Sequence, residues 1–325
     1  MITPVLYAAL LAFLIALVSG PPLIEFLRRL KFGQSIRVDG PKSHLKKAGI
    51  PTMGGILIVA ATAISTLLLS KGHVAVLYCL LATLGFSLIG LVDDFIIVVA
   101  KRSLGLRARY KLLGQIVLGL VISLYALASP ELGPVILIPF SHQAMILPPW
   151  LFVLTATAAM VGSANAVNFT DGLDGLAAGT TAVAAVAYIL LCISLGEWEL
   201  AAFAAAIAGA CLGFTWFNAH PAQVIMGDTG SLGLGAALGA LAVLTRTELF
   251  LVIIGGVFVL ETLSVILQVL YFRLTGGRRI FRMAPLHHHF ELKGWPETKV
   301  VFRFWIMAFV FAVLGLAGLP AALGF

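Results

Sequence analysis

Ten long apolar segments follow one another along this 325-residue chain, and short stretches between them hold almost all of its charged residues. A helix needs about 20 mostly apolar residues to cross the hydrocarbon core of a bilayer, and most segments approach that length. The pattern predicts about ten transmembrane helices, at Val5–Gly20, Met53–Ser70, Val74–Val92, Leu112–Ala128, Trp150–Val167, Leu176–Leu195, Leu200–Phe217, Gly230–Leu244, Leu249–Tyr271 and Phe304–Leu323.

Two of these segments depart from the simple pattern. Gly230–Leu244 is short and rich in glycine, so it can span only if flanking residues snorkel or the bilayer thins. Leu249–Tyr271 is long, contains Gly255-Gly256 and carries Glu261 among apolar residues, which predicts a tilted or broken helix. The longest external connection, Ser129–Pro149, is compatible with a short hairpin.

The composition agrees with a membrane protein. Hydrophobic residues make up 61% of the chain and charged residues 11%, and the mean hydropathy is +1.07. Because soluble globular proteins carry about 25% charged residues, these values exclude a soluble globule and indicate an all-α integral membrane protein. No linker or internal repeat divides the sequence, which predicts one polytopic domain over residues 1–325.

The basic residues give this predicted bundle an orientation. When loops are placed alternately on two sides, 19 of the 21 lysines and arginines fall on one side, and only Lys71 and Arg246 fall on the other. The positive-inside rule makes the basic side cytoplasmic and places both termini outside. A basic cytoplasmic face suits an anionic membrane surface and an anionic substrate, and we expect no nucleic-acid partner.

Two adjacent carboxylates, Asp93-Asp94, follow the apolar run Leu84–Val92 at the predicted cytoplasmic end of a helix. Adjacent like charges repel unless a cation neutralises them, so the pair points to bound Mg²⁺ or to a carboxylate that acts as a base. The alternative is a pair of solvated acids at a helix end.

Three further segments bring polar groups to the same face. Asn165–Asp174 carries Asn or Asp at every third position, as in a ligand-binding loop or a polar seam between helices. Gly227–Gly230, with Asn218 upstream, allows a ligand near the backbone, although Asp before Thr-Gly is also typical of a turn or helix cap. His287–His289 lies near several arginines and suits phosphate oxygens better than zinc, which usually needs separated histidines or cysteine partners.

Together these segments supply carboxylates and histidines, other loops on the same face add several lysines, and there is no nucleophilic serine or cysteine arrangement. That inventory favours phosphoryl transfer, which needs cations to neutralise a diphosphate and a carboxylate to handle the nucleophile. A transporter or channel is the alternative from another class. Transporters place their charged sites near the midplane, whereas here the aspartates cluster at one surface and only Glu261 lies deep.

A family resemblance extends over essentially the whole chain and is carried by Pro51–Gly55, Asp93-Asp94, Asn165–Gly175, Gly227–Ser231 and Ala284–Trp295. These motifs resemble the phospho-N-acetylmuramoyl-pentapeptide transferase family, a branch of the polyprenyl-phosphate N-acetylhexosamine-1-phosphate transferase superfamily. The aspartate motifs are shared by the superfamily, whereas the triple-histidine segment is specific to the branch.

The resemblance implies an activity and a setting. It implies transfer of phospho-MurNAc-pentapeptide from its UDP carrier to undecaprenyl phosphate, which forms lipid I and releases UMP in the first membrane step of peptidoglycan synthesis. It also implies a requirement for Mg²⁺ and a ten-helix, usually dimeric enzyme of the bacterial inner membrane, with external termini and a cytoplasmic active site. A GlcNAc-1-phosphate transferase on the same fold is the alternative within the enzyme class.

The resemblance further implies roles for individual residues. Asp93 matches the carboxylate that deprotonates or positions the lipid phosphate, Asp94 matches its catalytic partner, and Asp228 matches the principal Mg²⁺ ligand. Residues 95–100 depart from the family pattern because they lack the Arg or Lys that relatives often carry there. The positions that match substrate-binding residues are Lys46, Lys111, Asn165, Asn168, Asp171, Asp174, Asn218, His287, His288 and His289.

Two mechanisms and one lipid contact follow as hypotheses. In the first mechanism, the lipid phosphate attacks the β-phosphate of the UDP-sugar directly, with Asp93 as base and Asp228 holding Mg²⁺. In the second, Asp228 is a nucleophile that forms an aspartyl-phosphate intermediate. Glu261, a costly carboxylate within the membrane, is predicted to lie on the wall of a groove that admits the polyprenyl chain.

Overall fold

The computed structural model describes residues 2–30, 49–70, 72–99, 105–141 and 143–319. Within these ranges the chain forms twelve helices and one two-stranded antiparallel sheet. The elements are α1 (Ile2–Arg29), α2 (Gly55–Leu69), α3 (Val74–Val99), α4 (Ala108–Ala128), β1 (Val135–Leu137), β2 (Ala144–Ile146), α5 (Pro149–Thr170), α6 (Leu176–Ser194), α7 (Trp198–Asn218), α8 (Gly227–Leu244), α9 (Glu248–Ile254), α10 (Gly256–Leu274), α11 (Leu286–Glu291) and α12 (Glu297–Ala317).

The helices confirm an all-α integral membrane protein. In the described part of the chain, nine helices are long and apolar enough to cross a membrane, and α2 is a shorter apolar helix of 15 residues. Large apolar side chains such as Val18, Leu68 and Phe309 are exposed on the outer helices, where hydrocarbon would surround them.

The predicted start of the last span was wrong. Helix α12 begins at Glu297, well before Phe304, and the predicted end at Leu323 lies outside the described residues. Pro296 directly precedes the helix and Glu297 lies in its first turn, both of which favour a helix start. The polar first turns of α12 therefore belong to the helix although they do not belong to the apolar run.

The ninth apolar segment is broken, as predicted. Helix α9 ends at Ile254, Gly255 follows it, and α10 begins at Gly256. Gly256 packs so closely on the Phe311 ring of α12 that an added Cβ would lie 2.5 Å from a ring carbon. The absence of a side chain at Gly256 allows α10 and α12 to cross in direct contact.

The connection after α4 forms the short hairpin that its sequence allows. Val135 pairs with Ile146 and Leu137 with Ala144. The Leu137 N–H also donates to the Arg246 carbonyl (2.8 Å), and the Phe140 N–H donates to the Gly318 carbonyl (2.8 Å). The hairpin thereby links the ends of α8 and α12.

Helix α8 is the centre of the bundle, which accounts for its short, glycine-rich sequence. It contacts helices α2 to α7 and α9, and every residue from Thr229 to Leu244 is buried. At its crossing with α2, a Cβ on Gly55 would lie 2.1 Å from the Gly230 nitrogen. Its 18 residues extend roughly 27 Å, close to the thickness of a hydrocarbon core, so no thinning is needed.

Contacts between helices fix their relative directions. Helices α1 and α7 run parallel, because Gly209 packs on Ala9 and Gly20 packs on Phe217. We call the end of the bundle that holds Asn218 and the starts of α8 and α12 the polar face. Helix α1 begins at the opposite face, and α12 ends there beside the hairpin. Which of the two faces is external stays a prediction.

Candidate active site

Helix α8 begins at the polar face with Gly227 in a left-handed conformation (φ 73°). No side chain from its own N-terminus caps it. Instead, the Asp94 carboxylate of α3 accepts hydrogen bonds from the backbone N–H groups of Asp228 (3.1 Å) and Thr229 (2.9 Å) and from the Thr229 hydroxyl (2.6 Å). Both Asp94 oxygens are therefore engaged by α8.

Asp93 points to a different neighbour, because consecutive residues on a helix lie about 100° apart. Its Oδ1 accepts a hydrogen bond from the Leu106 N–H (2.7 Å), and its Oδ2 lies 3.9 Å from Lys111 Nζ. Gly105, in a left-handed conformation (φ 53°), leaves room for the carboxylate, since an added Cβ would lie 2.6 Å from Oδ1. The adjacent aspartates thus face different partners.

Asp228 completes this group of side chains. Its carboxylate forms an ion pair with Lys111 of α4, and its Oδ1 accepts a hydrogen bond from Asn168 Nδ2 of α5 (2.8 Å). Asn168 Nδ2 also lies within hydrogen-bonding distance of Ser231 Oγ (2.9 Å). Four helices therefore bring Asp93, Lys111, Asn168 and Asp228 together at the polar face.

These side chains fit a divalent cation. Mg²⁺ binds oxygen ligands, usually one or two carboxylates together with substrate phosphates and waters. Asp228 and Asp93 offer carboxylate oxygens that both lie near Lys111 Nζ, and Asn168 bonds to Asp228 through its amide group. The oxygens of Asp94 face the first turn of α8 instead, so the adjacent aspartates do not form a shared two-carboxylate ligand.

A second polar cluster joins three segments of the polar face. Asp174 Oδ2 lies 3.0 Å from His220 Nδ1, and His220 Nδ1 lies 3.5 Å from Glu297 Oε2. Glu297 also accepts a hydrogen bond from the Asp174 N–H (2.8 Å). The ligand atoms of the three residues lie within 4.8 Å of one another, as in a metal site, although the same geometry also describes an ion-paired junction.

Asn218 supports the loop that carries Asp174. Its Oδ1 accepts a hydrogen bond from the Gly175 N–H (2.9 Å), and its Nδ2 donates to the Val224 carbonyl (2.8 Å). Beside this loop lies a cavity of about 190 Å³ that Asp174, His220 and Trp305 help to line. Glu297 could not be singled out from the sequence, because an acid in the first turn of a helix is common without any ligand.

The three histidines have different surroundings. His287 is buried, and its N–H donates to Glu261 Oε1 (3.2 Å), while its Nδ1 lies 3.2 Å from the same oxygen. Its Nε2 faces Gly172, where an added Cβ would lie 2.1 Å from that nitrogen. His288 Nδ1 lies 2.9 Å from Glu291 Oε2.

His289 lies beside two positively charged side chains, Arg282 and Lys293. Its Nδ1 accepts a hydrogen bond from the Arg282 N–H (3.0 Å). Partial burial, followed by the positive charges of Lys293 and Arg282, lowers the pKa of His289 below its ordinary value. A neutral ring whose Nδ1 accepts this bond carries its proton on Nε2.

The remaining predicted site residues are Asn165, Asp171 and Lys46. Asn165 Nδ2 donates to Gln115 Oε1 (2.7 Å) and to the Val161 carbonyl (2.8 Å), between α4 and α5. Asp171 follows α5 directly, and its N–H donates to the Asn168 carbonyl (3.2 Å). Lys46 lies outside the described residues.

An apolar groove of about 250 Å³ runs between α5 and the broken pair α9 and α10. Gly162, Gly255 and Phe258 help to line it, together with the buried Glu248. Glu261 does not belong to its lining and is fully buried against His287. The break in the ninth span therefore borders the groove, whereas the carboxylate of Glu261 lies behind it.

Comparisons with known proteins bear on this arrangement. A family model described as Glycosyl transferase family 4 matches residues 76–246, and one described as phospho-N-acetylmuramoyl-pentapeptide-transferase signature 1 matches residues 47–59. The first range contains both aspartates of α3, Lys111 and the start of α8.

Curated relatives match nearly the whole chain and are named phospho-N-acetylmuramoyl-pentapeptide-transferase. The protein of Moorella thermoacetica is 56% identical over 94% of this chain and 96% of its own length. Those of Desulforudis audaxviator and Desulforamulus reducens are 51% and 52% identical, each over 97% of this chain and over 98% and 96% of their own lengths.

Proposed function

This chain belongs to the phospho-N-acetylmuramoyl-pentapeptide-transferase family, and on that premise we propose its reaction and substrates. The enzyme transfers phospho-MurNAc-pentapeptide from UDP-MurNAc-pentapeptide to undecaprenyl phosphate. The products are lipid I and UMP, so the reaction is the first membrane step of peptidoglycan synthesis.

The observation that carries this proposal is the convergence of Asp93, Lys111, Asn168 and Asp228 from four helices at one end of a membrane bundle. A phosphoryl transfer between a soluble diphosphate and a lipid phosphate needs such a site at a membrane surface. Two carboxylates can hold a divalent cation and handle the acceptor phosphate, and one ammonium can neutralise phosphate oxygens. No covalent chemistry beyond that is required of the protein.

We assign the metal as Mg²⁺, with Asp228 as its principal protein ligand and with Asp93 and Asn168 beside it. When bound, Mg²⁺ would neutralise the diphosphate and stabilise the charge that develops on the leaving UMP. Asp228 and Asp93 supply the hard oxygen ligands that Mg²⁺ prefers. Lys111 pairs with the same carboxylates and is in place to contact phosphate oxygens.

The nucleotide side of the site is assigned to the loop that carries Asp171 and Asp174. The cavity beside Trp305 opens at this loop, and Asn218 holds the loop backbone in place. The histidine segment packs on the same loop through His287 and Gly172. We infer that this side receives the UDP-sugar and that His288 and His289 lie towards its phosphates.

The lipid side is assigned to the groove along α5, α9 and α10. Its lining is almost wholly apolar, as a polyprenyl chain requires, and it runs beside the helix that carries Asn168. A chain held in this groove would bring its phosphate from the bilayer to the polar face. The lipid acceptor and the soluble donor then reach Asp93 and Asp228 from different directions.

In the mechanism we propose, an oxygen of the lipid phosphate attacks the β-phosphorus of the UDP-sugar. The bond between that phosphorus and the bridging oxygen breaks, and UMP leaves with the bonding electron pair. Asp93 accepts the proton of the lipid phosphate where one is present, since Leu106 fixes only one of its oxygens. The Asp228 oxygens are paired with Lys111 and Asn168, which disfavours Asp228 as a nucleophile.

A substrate comparison tests the reaction. The purified enzyme is given undecaprenyl phosphate, Mg²⁺ and either radiolabelled UDP-MurNAc-pentapeptide or radiolabelled UDP-GlcNAc, and lipid product and UMP are measured. Product from the first donor alone supports the proposal, and Asp93→Asn should abolish it. Product from UDP-GlcNAc alone would assign the chain to GlcNAc-1-phosphate transfer, and product from neither would overturn a transferase role.

The stereochemistry at phosphorus separates the two mechanisms. A donor with a chiral β-phosphate should give inversion if the lipid phosphate attacks directly. Retention would overturn the direct route and favour an aspartyl-phosphate intermediate.

We further propose that the protein lies in the bacterial cytoplasmic membrane, with the polar face towards the cytoplasm, and that it forms a homodimer. The cytoplasmic assignment rests on the one-sided distribution of its basic residues. The mass of the detergent-solubilised protein by native mass spectrometry tests the dimer, and a monomer alone would contradict it.

A further inference from the structure

The first turn of α8 needs hydrogen-bond partners, because helix N-termini leave backbone N–H groups without partners inside the helix. Met226 precedes the helix and offers no capping side chain, and Gly227 has none. Asp94 of α3 accepts the Asp228 N–H and the Thr229 N–H at 3.1 and 2.9 Å. A residue from another helix therefore performs the role that a local Ser, Thr or Asp usually performs.

The Asp94 carboxylate is buried between α3 and α8. Asp94 is only 5% exposed, and the Thr229 hydroxyl adds a third hydrogen bond of 2.6 Å. An added Cβ on Gly227 would lie 2.7 Å from Asp94 Oδ2, so the backbone approaches the carboxylate directly. The negative charge also lies at the positive end of the α8 dipole, which favours it there.

The same contact fixes Asp228. Asp94 bonds to the backbone N–H of Asp228, while the side chain of Asp228 extends to Lys111 and Asn168. The α3–α8 crossing is tight at this level, since a Cβ on Gly90 would lie 2.1 Å from the Asp228 carbonyl oxygen. A shift of the first turn of α8 would move the Asp228 carboxylate with it.

We propose that Asp94 is a positioning residue that caps α8 and thereby holds Asp228 in place, rather than a group that touches metal or substrate. The inference rests on the proposed function only for the role of Asp228. The cap itself is a property of the protein without metal or substrate. Asp93 and Asp94, although adjacent in the sequence, then have separate tasks.

The test combines variants of both partners. Asp94→Asn keeps one carbonyl oxygen but replaces the other acceptor with an N–H donor, so the three donors of α8 lose one of the two oxygens that they share. Thr229→Val removes only the hydroxyl and keeps the side-chain shape. Thr229→Ser is the matched control because it keeps the hydroxyl, and Asp93→Asn is the control for the loss of a neighbouring charge.

The first readout is the Tm of the detergent-solubilised protein in EDTA, without metal or substrate. We expect Asp94→Asn and Thr229→Val each to lower the Tm by about 3 °C, and the double variant to lower it by less than the sum. Thr229→Ser should melt within a degree or so of the wild type, and Asp93→Asn should melt no lower. An Asp94→Asn protein as stable as the wild type would overturn the cap.

The second readout is Mn²⁺ affinity, measured by electron paramagnetic resonance. Asp94→Asn should weaken binding about tenfold, as the loss of a supporting residue does, and Thr229→Val should weaken it in the same direction. If Thr229→Val binds Mn²⁺ as the wild type does while Asp94→Asn loses binding altogether, Asp94 is a ligand and the proposal fails. Because the melting experiment needs no substrate, it stands even if the proposed reaction is wrong.

Discussion

At the scale of single residues, Lys111 holds a position that a divalent cation would also favour. Its ammonium pairs with Asp228 and lies 3.9 Å from Asp93 Oδ2. A lysine and a metal ion would therefore compete for the same carboxylate oxygens, even if both assist the reaction.

Lys111→Met should separate these two effects. Removal of the positive charge should tighten Mn²⁺ binding by about tenfold or more, because a competing cation is lost. The rate of UMP release should nevertheless fall by roughly a hundredfold, because phosphate charge is less well neutralised. Lys111→Arg keeps the charge and should bind Mn²⁺ much as the wild type does. Weaker Mn²⁺ binding by Lys111→Met would mean that Lys111 supports the metal site instead.

Glu261 gives a second prediction at this scale. Glu261→Gln keeps an oxygen that can accept the His287 N–H, whereas Glu261→Leu leaves that group without a partner. An unsatisfied buried donor costs about 1–3 kcal/mol, so the leucine variant should unfold at a clearly lower temperature than the glutamine variant. Since Glu261 does not line the groove, the KM for the lipid should be unchanged in Glu261→Gln. A raised lipid KM in that variant would restore the role at the groove wall that the sequence suggested.

The residues of the site could be predicted from motifs in the sequence, but the neighbours that each side chain faces could not. The sequence placed Asp93, Asp94 and Asp228 at one membrane surface, and the structure brings all three together. It could not show that Asp94 turns towards a helix that begins 133 residues later, because that depends on how α3 and α8 cross. Asn165 was grouped with Asn168 by spacing and by the family resemblance, yet its side chain bonds to Gln115 between two helices.

At the scale of elements, the contact between α3 and α8 is held close by glycines. Gly90→Ala would place a Cβ 2.1 Å from the Asp228 carbonyl oxygen and force the helices apart. Overpacking of this kind costs about 1–3 kcal/mol, so we expect a lower Tm and weaker Mn²⁺ binding. Gly162→Ala on α5 is the stability control, because nothing lies within 4 Å of its added Cβ. That variant should be as stable as the wild type or about 0.5–1 kcal/mol more stable. Equal stability of the two variants would contradict a tight crossing.

Long elements were easier to predict than short ones. A run of apolar residues long enough to span a bilayer has few alternatives to a helix. The paired glycines Gly255-Gly256 predicted the break in the ninth segment. The six residues of α11 carry no such signal, since their histidines and Phe290 read equally well as a loop. The polar start of α12 was not predicted, because hydropathy identifies the part of a helix that lies in the membrane and not the turns that extend beyond it.

At the scale of the whole molecule, the orientation in the membrane can be tested directly. The three native cysteines, Cys79, Cys192 and Cys211, are buried, so the unmodified chain is a low-background control. Glu131→Cys lies beside the hairpin, and Arg278→Cys lies in the connection between α10 and α11 at the polar face. In intact bacterial cells, a membrane-impermeant maleimide should label the first variant and should label the second only after permeabilisation. The reverse pattern would place the polar face outside.

Helix α8 also has a consequence for how the protein is made. It has the lowest mean hydropathy of the nine long helices of the described chain, and it is the most completely enclosed by other helices. During synthesis the insertion machinery meets it after α2 to α7, which are six of the seven helices that it contacts in the described chain. Because its hydropathy is low, this segment would partition weakly into lipid alone. We expect its insertion to depend on packing against the helices that were inserted before it. The helix that carries Asp228 is thus the one whose place in the membrane is secured by protein rather than by lipid.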